Sequence, residues 1–178
     1  DVAFFDPGNR PEPRGDFLLC VGALVPYKRF DLAIEAARRL GRRLVLVGRG
    51  PEERRLRALA GSSVEFQSGI AVEGLRALYR GCAFYLQPGE EDFGISAVEA
   101  LACGAPVVAL ARGGAMDVVR DGENGVLYAE DSAAGLADAV ERAGRARFDH
   151  TALRASALPF GPERFADEFD AAVRELRG

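Results

Sequence analysis

The sequence lacks the features that mark several classes of protein. It has no apolar run of the roughly 20 residues that a membrane span needs, and its opening residues do not have the pattern expected of a signal peptide. It also lacks a basic excess, since 23 basic residues face 27 acidic ones and the net charge is −4. Composition therefore gives no support for binding to nucleic acid or to an anionic membrane surface.

Cysteine, histidine and lysine are scarce. Cys20, Cys82 and Cys103 have neither metal-ligand nor redox spacing, so we expect no metal site. Their apolar neighbours predict reduced, buried thiols, which are typical of a cytoplasmic protein. His150 has no Ser/Asp or Cys partner pattern, which favours a structural or surface role. Lys28 is the one lysine among the 23 basic residues, so its position merits attention.

The rest of the chain alternates between apolar, strand-like segments and helical patterns. The predicted strands cover residues 17–21, 44–47, 64–67, 83–86, 106–110 and 125–128. Helical spacing follows most of them, and Ser132 is a candidate N-cap for a helix that runs to about residue 143. Continuous apolar strands separated by helices indicate a parallel sheet covered on both faces. We expect a doubly wound, Rossmann-like α/β domain with ligands at the carboxyl ends of the strands.

The domain boundaries follow from composition and periodicity. Residues 1–16 contain three prolines and two glycines and are interpreted as an extended linker without a core of its own. Residues 17–178 form the single predicted domain, which ends in a partly covered amphipathic helix bearing Phe165 and Phe169. Asp1 is not a start methionine, so we expect the numbering to begin inside a longer protein.

The loops after the first two predicted strands could bind a phosphate. In the first, Lys28 and Arg29 directly precede a helix, where a cation and free N–H groups suit an anion. A solvated basic loop explains the same residues equally well. In the second, Gly48 begins a Gly-x-Gly turn that would let a ligand approach the backbone. The dinucleotide fingerprint is absent there, and a tight turn is the favoured interpretation.

The loop after the fourth strand carries the strongest local signal. It reads PGEEDFGIS and leads into a helix that bears Glu99, eight residues after Glu91. Carboxylates accept hydrogen bonds from hydroxyls, so sugar and ribose are natural partners for this pair. Acidic residues could instead simply compensate the helix dipole. That explanation does not cover Glu99, because burial among small apolar residues would demand a partner.

These segments together resemble a known family. The E-x7-E pair lies within EDFGISAVEALACGAPVVA, and VGALVPYKRFDLAIEAA, LVLVGRGPEERRL and GGAMDVVRDGENGVLY agree in order and spacing. The chain is similar over almost its whole length to the C-terminal domain of family 4 GT-B glycosyltransferases, the "glycosyl transferases group 1" domain. The opening DVAFFDPG resembles the linker between the two domains of such enzymes.

The resemblance implies a function and assigns roles to residues. It implies the donor-binding half of a retaining hexosyltransferase that uses a GDP- or UDP-sugar and a glycan or lipid-linked acceptor. Lys28 would neutralise the donor diphosphate, Glu91 would contact the sugar hydroxyls and Glu99 would hold the ribose. The amides of Phe93, Gly94, Ile95 and Ser96 are implied to approach the sugar and the phosphate, and Glu91 and Lys28 would also act in catalysis. Arg29, Gly48 and Ile70 are further candidate donor-binding residues because they lie in the loops after the first three predicted strands.

The resemblance also sets expectations about partners. No metal or other cofactor is obligatory in it, and the nucleotide sugar is the substrate. The N-terminal, acceptor-binding domain is absent, so we expect the chain alone to be inactive, and any association with the inner face of the plasma membrane would come through that missing half. Ala23 occupies a position where many members carry a second cation, and Arg29 is the candidate substitute. The alternatives are a GT-B epimerase, a glycogen-synthase-like enzyme or a non-catalytic nucleotide-binding module.

Overall fold

Six short parallel strands form the centre of the molecule. The structure is a computed structural model that describes residues 1–8 and 14–177. The strands are β1 Leu18–Val21, β2 Leu44–Val47, β3 Val64–Gln67, β4 Phe84–Gln87, β5 Val107–Leu110 and β6 Gly125–Tyr128. They make one sheet in the order β3-β2-β1-β4-β5-β6, with every pairing parallel. The predicted doubly wound α/β fold is confirmed, and four bounds on three of the strands differ from the prediction by one residue.

Helices connect the strands and close the chain. They are α1 Phe30–Leu40, α2 Glu53–Leu59, α3 Val72–Gly81, α4 Ile95–Ala102, α5 Ala115–Val118, α6 Ala133–Arg145, α7 His150–Ala157 and α8 Pro162–Arg177. The predicted cap of α6 is confirmed, because the Ser132 side chain accepts a hydrogen bond from the backbone N–H of Gly135. α2 begins at Glu53, two residues after Pro51.

α7 is an element that the sequence analysis missed. Its apolar pattern is short, since only Leu153 and Ala157 of its eight residues are buried. A cap signal was nevertheless present, because Asp149 accepts a hydrogen bond from the N–H of Ala152 at 2.8 Å.

The strands alternate between two apolar clusters, one on each face of the sheet. Leu18 and Cys20 of β1 pack with α1, α2 and α6, whereas Leu19 packs with α3, α4, α5 and α7. Burial of both faces is what the continuous apolar runs predicted. All three cysteines are free and buried, and burial raises the pKa of the Cys82 thiol to about 12.

The first eight residues pack on the domain. The Phe5 ring is buried and meets the Tyr79 ring edge-on at 5.7 Å, and Asp6 pairs with Arg80 at 2.7 Å. Residues 2–5 form a turn and a bend, which differs from the extended chain expected there. Residues 9–13 of the predicted linker lie outside the described residues. That residues 1–16 join two domains stays a prediction.

The last helix leaves an apolar face open. Phe165 and Phe169 stack on each other at 6.0 Å and are 70% and 59% exposed. The expected C-terminal helix is present but is less covered than expected, since Val173 is the one residue that is not exposed among those of the helix whose burial the structure describes. Among the described helices, none combines the length and the hydropathy that crossing a membrane requires.

Candidate functional site

The point where the strand order reverses brings two separate sequence signals together. β1 and β4 are neighbours in the sheet, so the loops that follow them leave the same edge. Lys28 ends a 3-10 turn, Pro26–Lys28, in the first loop, and Glu91 lies in the second. The Lys28 ammonium group donates a hydrogen bond to Glu91 Oε1, and the two side chains are only 12% and 20% exposed. The candidate phosphate cation and the candidate sugar carboxylate thus form an ion pair.

This ion pair lies in a cavity of about 840 Å³. The cavity is lined by Tyr27, Lys28, Tyr85, Gln87, Glu90, Glu91, Asp92, Phe93, Gly94, Ile95 and Ser96. Most of these residues belong to the predicted PGEEDFGIS loop. The cavity therefore joins a cation, carboxylates and the start of a helix, which together can bind a charged, hydroxyl-rich ligand.

The start of α4 forms one wall of the cavity. Gly94 is the N-cap and has φ 86°, a left-handed conformation that favours glycine. Its carbonyl accepts hydrogen bonds from the N–H groups of Ala97 and Val98. The N–H groups of Ile95 and Ser96, the first two residues of the helix, have no partner within the helix. They are available to an anion, as the resemblance implied for this segment.

Glu99 has the partner that its burial demanded. Its carboxylate accepts a hydrogen bond from the Tyr79 hydroxyl at 3.0 Å, and the Tyr79 side chain is fully buried. Burial raises the pKa of Glu99, and the hydrogen bond from Tyr79 offsets part of that rise. Tyr79 was not predicted as a site residue, because its position in the sequence also fits the apolar stripe of α3.

Glu99 opens into a second cavity, of about 720 Å³. Phe93 and Ile95 line both cavities and so separate Glu91 from Glu99. The second cavity is otherwise apolar for the most part and includes Phe160 and Phe165 from the C-terminal segment. The two glutamates therefore face adjoining spaces, a geometry that suits a ligand lying over the start of α4.

Arg29 lies apart from the ion pair. It is in the left-handed region at φ 51°, and it contacts Asp131 at 2.9 Å and Asp31 at 3.5 Å. It is not among the described residues that line the cavity around Lys28. That Arg29 replaces the cation missing at Ala23 stays a prediction, which its contacts with Asp31 and Asp131 do not favour.

Gly48 and Ile70 occupy the loops after β2 and β3. A Cβ atom at Gly48 would lie 1.9 Å from the carbonyl oxygen of Gly22, so glycine allows the loops after β1 and β2 to touch. This close approach supports the tight-turn interpretation. Ile70 is half-buried against the apolar cluster on the α3 and α4 face. Neither residue lines the cavity of Lys28 within the described parts of the chain, and their contact with a donor stays a prediction.

A support for the Glu91 loop went unnoticed in the sequence. The N–H of Gly114 donates to the Glu91 carbonyl at 2.7 Å, and a Cβ atom at Gly114 would lie 2.4 Å from Phe93 Cα. The pair Gly113-Gly114 was a visible signal, because adjacent glycines allow one loop to rest on another.

His150 has the structural position expected of it. Its Nδ1 lies 3.1 Å from the Arg14 guanidinium, away from the cavity of Lys28. Burial, together with the charge of Arg14, lowers the pKa of His150.

Comparison with known proteins identifies the family. The model described as "Glycosyl transferases group 1" matches residues 3–155, so the chain belongs to this family. The D-inositol 3-phosphate glycosyltransferase of Acidothermus cellulolyticus is 36% identical over 170 residues, covering 80% of this chain and 38% of the relative. The D-inositol 3-phosphate glycosyltransferase of Mycobacterium leprae is 32% identical over 162 residues, covering 80% of this chain and 38% of that relative. The chain spans about two fifths of the length of these relatives.

Solved structures agree with the assigned fold. Sucrose-phosphate synthase from Thermosynechococcus elongatus superposes with a TM-score of 0.86 at 28% identity, over 99% of this chain and 50% of that one. Anabaena HepE, solved in complex with UDP and glucose, gives a TM-score of 0.66 at 25% identity, over 82% of this chain and 42% of that one. The expected GT-B type of Rossmann-like fold is thereby confirmed.

Proposed function

We propose that this chain is the donor-binding, C-terminal half of a retaining family 4 glycosyltransferase that transfers a hexosyl group from a GDP- or UDP-sugar. The observation that carries the proposal is the Lys28–Glu91 pair in the cavity at the switch point of the sheet. Nucleotide ligands of doubly wound sheets bind at this point. The relative solved with UDP and glucose supports a nucleotide and a sugar as the two parts of the ligand.

Binding of the donor would begin at Lys28. The diphosphate would displace Glu91 from the ammonium group, and the N–H groups of Ile95 and Ser96 would donate to the same anion. These groups stabilise the negative charge that develops on the leaving diphosphate as the bond to the sugar breaks. Such stabilisation raises the rate only to the extent that it is stronger in the transition state than in the bound donor.

Release from Lys28 gives Glu91 a second role. Its carboxylate becomes free to accept hydrogen bonds from hydroxyls of the donor sugar. A negative charge beside the sugar also favours the positive, oxocarbenium-like character that the ring gains in the transition state. Glu91 is not proposed as a nucleophile, since the retaining, front-face course implied by the family needs none.

Glu99 would hold the ribose of the nucleotide. A ribose diol supplies two donors, and Tyr79 already fixes one oxygen of the carboxylate at 3.0 Å. Catalysis needs both reactants held together, and the acceptor would be a glycan or a lipid-linked sugar bound by the other half of the enzyme. No metal ion is required in this scheme, because Lys28 and the start of α4 supply the positive charge.

The test compares the full-length protein with residues 1–178. Each is incubated with GDP- and UDP-hexoses and a mixture of glycan and lipid-linked acceptors, and the anomeric configuration of the product is read by NMR. We expect a retained configuration with the full-length protein and no product with residues 1–178. Transfer by residues 1–178 alone, or an inverted product, would contradict the proposal. A full-length protein that binds the donor but never transfers would instead be a nucleotide-binding module.

A further inference from the structure

Gln87, the last residue of β4, buries an amide group in the floor of the site. The residue is only 3% exposed. Its Nε2 atom is buried and has no hydrogen-bond partner among the described residues. The backbone of Gly94 rests against this amide so closely that a Cβ atom there would lie 2.8 Å from Gln87 Oε1. The side chain is thus held under the start of α4.

An unpartnered buried amide is costly and therefore uncommon. Most buried polar groups in proteins have a hydrogen-bond partner, and an exception calls for an explanation. The three preceding residues of β4, Phe84, Tyr85 and Leu86, are largely apolar and pack in the core. An apolar side chain at position 87 would fill the space without the cost. Groups that destabilise the free protein are commonly kept for binding or catalysis.

The surroundings of Gln87 indicate what it binds. It lines the same cavity as Lys28 and lies beside the start of α4, where N–H groups and the positive end of the helix dipole meet. An amide N–H in this place adds a neutral donor to a group of donors that suits a phosphate oxygen. We infer that Gln87 is a further donor-binding residue, whose amide donates to the distal phosphate of a nucleoside diphosphate beside Lys28. This inference rests on the proposed function.

The test replaces the amide with an apolar group of similar size and shape. Gln87→Met and wild-type protein are each titrated with UDP, GDP and the corresponding monophosphates, and their melting temperatures are measured without ligand. We expect about tenfold weaker diphosphate binding, as loss of a hydrogen bond to a charged group implies. Monophosphate binding should stay the same. The melting temperature should rise by about 2–4 °C, because the unpartnered group is gone.

Matched variants separate this role from a structural one. Gln67→Met makes the same change at the end of β3, where the amide donates to Glu65 at 2.7 Å, and it should leave diphosphate binding unchanged. Gln87→Leu provides a second apolar replacement should Gln87→Met not fold. Gln87→Glu should weaken diphosphate binding more than either, because a carboxylate repels the phosphate.

The possible outcomes are distinguishable. Unchanged diphosphate affinity in a folded Gln87→Met or Gln87→Leu protein would overturn the inference and leave the proposed function standing. A loss confined to nucleotide sugars would also overturn it, since the amide would then contact the sugar. Wild-type protein that binds no nucleotide would refute the proposed function itself.

Discussion

The ammonium group of Lys28 donates a hydrogen bond to the carboxylate of Glu91, 63 residues further along the chain. The two charges neutralise each other, and both side chains are largely shielded from water. An incoming phosphate must therefore compete with Glu91 for Lys28. The net binding free energy from that contact is the difference between the charge-assisted hydrogen bond of Lys28 to the phosphate and the one it gives up to Glu91.

Lys28→Ala should weaken binding of nucleoside diphosphates more than binding of monophosphates. A charge-assisted contact contributes about 1.5–3 kcal/mol, which corresponds to one to two decades in affinity. The competing bond to Glu91 places the expected loss near the lower end of that range. Titration calorimetry with UDP, UMP, GDP and GMP measures it. Equal losses for diphosphates and monophosphates would place Lys28 at the phosphate that both ligands share, and unchanged affinities would remove it from the phosphate site.

Glu91→Gln should change the affinity for the nucleoside diphosphate and the affinity for the nucleotide sugar differently. Without the carboxylate, Lys28 is free in the empty site, so UDP or GDP should bind about three- to tenfold more tightly, or ~0.7–1.4 kcal/mol. The nucleotide sugar should bind more weakly relative to the diphosphate, because the sugar hydroxyls lose a charged acceptor. In the full-length enzyme, turnover should fall more than affinity. The check is a paired titration with diphosphate and sugar nucleotide, and a diphosphate that binds less tightly to the variant would refute the competition.

Glu99→Gln should weaken ligand binding and stabilise the free protein. Every donor nucleotide has a ribose, so diphosphate and nucleotide sugar should lose affinity equally, by about tenfold for a charge-assisted hydrogen bond. Burial raises the pKa of Glu99 in the folded protein above the ordinary value of 4.5. Its contribution to stability is therefore fully present below about pH 4.5 and is lost as the pH rises through the folded pKa.

Thermal unfolding across pH tests the second half of this prediction. The melting temperature of the Glu99→Gln variant should be higher than that of the wild-type protein at neutral pH. The difference between the two melting temperatures should disappear as the pH falls toward 4.5. A gap that does not vary with pH would show that ionisation of Glu99 has no part in the effect.

Tyr79→Phe should change the titration of Glu99 with little change in packing. The hydroxyl donates to the Glu99 carboxylate and lowers its pKa, so its removal should raise the pKa of Glu99 further. The free energy of unfolding should fall by about 0.5–1.5 kcal/mol for one lost hydrogen bond. Carbon NMR of the labelled carboxyl group reads the pKa directly. Tyr128→Phe removes a buried hydroxyl that bonds to the Pro88 carbonyl, and it should leave the Glu99 titration unchanged.

The fold was predictable because its signals are local and repetitive. Continuous apolar runs marked most of the strands, although β3 alternates apolar and polar residues as VEFQ. The alternation of strands with helices indicated the parallel sheet. The short α7 escaped notice because two buried residues make a weak periodic signal. Packing of Phe5 against Tyr79 depends on a contact across 74 positions of the chain, which no local pattern reports.

The site was predictable in its parts and less so in its arrangement. Lys28, Glu91 and Glu99 stood out as polar residues in loops or on an apolar helix. That Lys28 and Glu91 contact each other follows only from the adjacency of β1 and β4. Gln87 was overlooked because the predicted strand ended one residue too early, at position 86, although a polar residue at the end of FYLQ was visible.

The central claim is that this domain binds a nucleoside diphosphate at Lys28. The most direct measurement is calorimetric titration of residues 1–178 with GDP, UDP and ADP, repeated with Lys28→Ala. The proposed function predicts saturable binding of GDP or UDP by the wild-type chain and at least about tenfold weaker binding by the variant. The claim would be contradicted if the folded wild-type chain bound none of the three nucleotides, or if the wild-type and Lys28→Ala chains bound them with equal affinity.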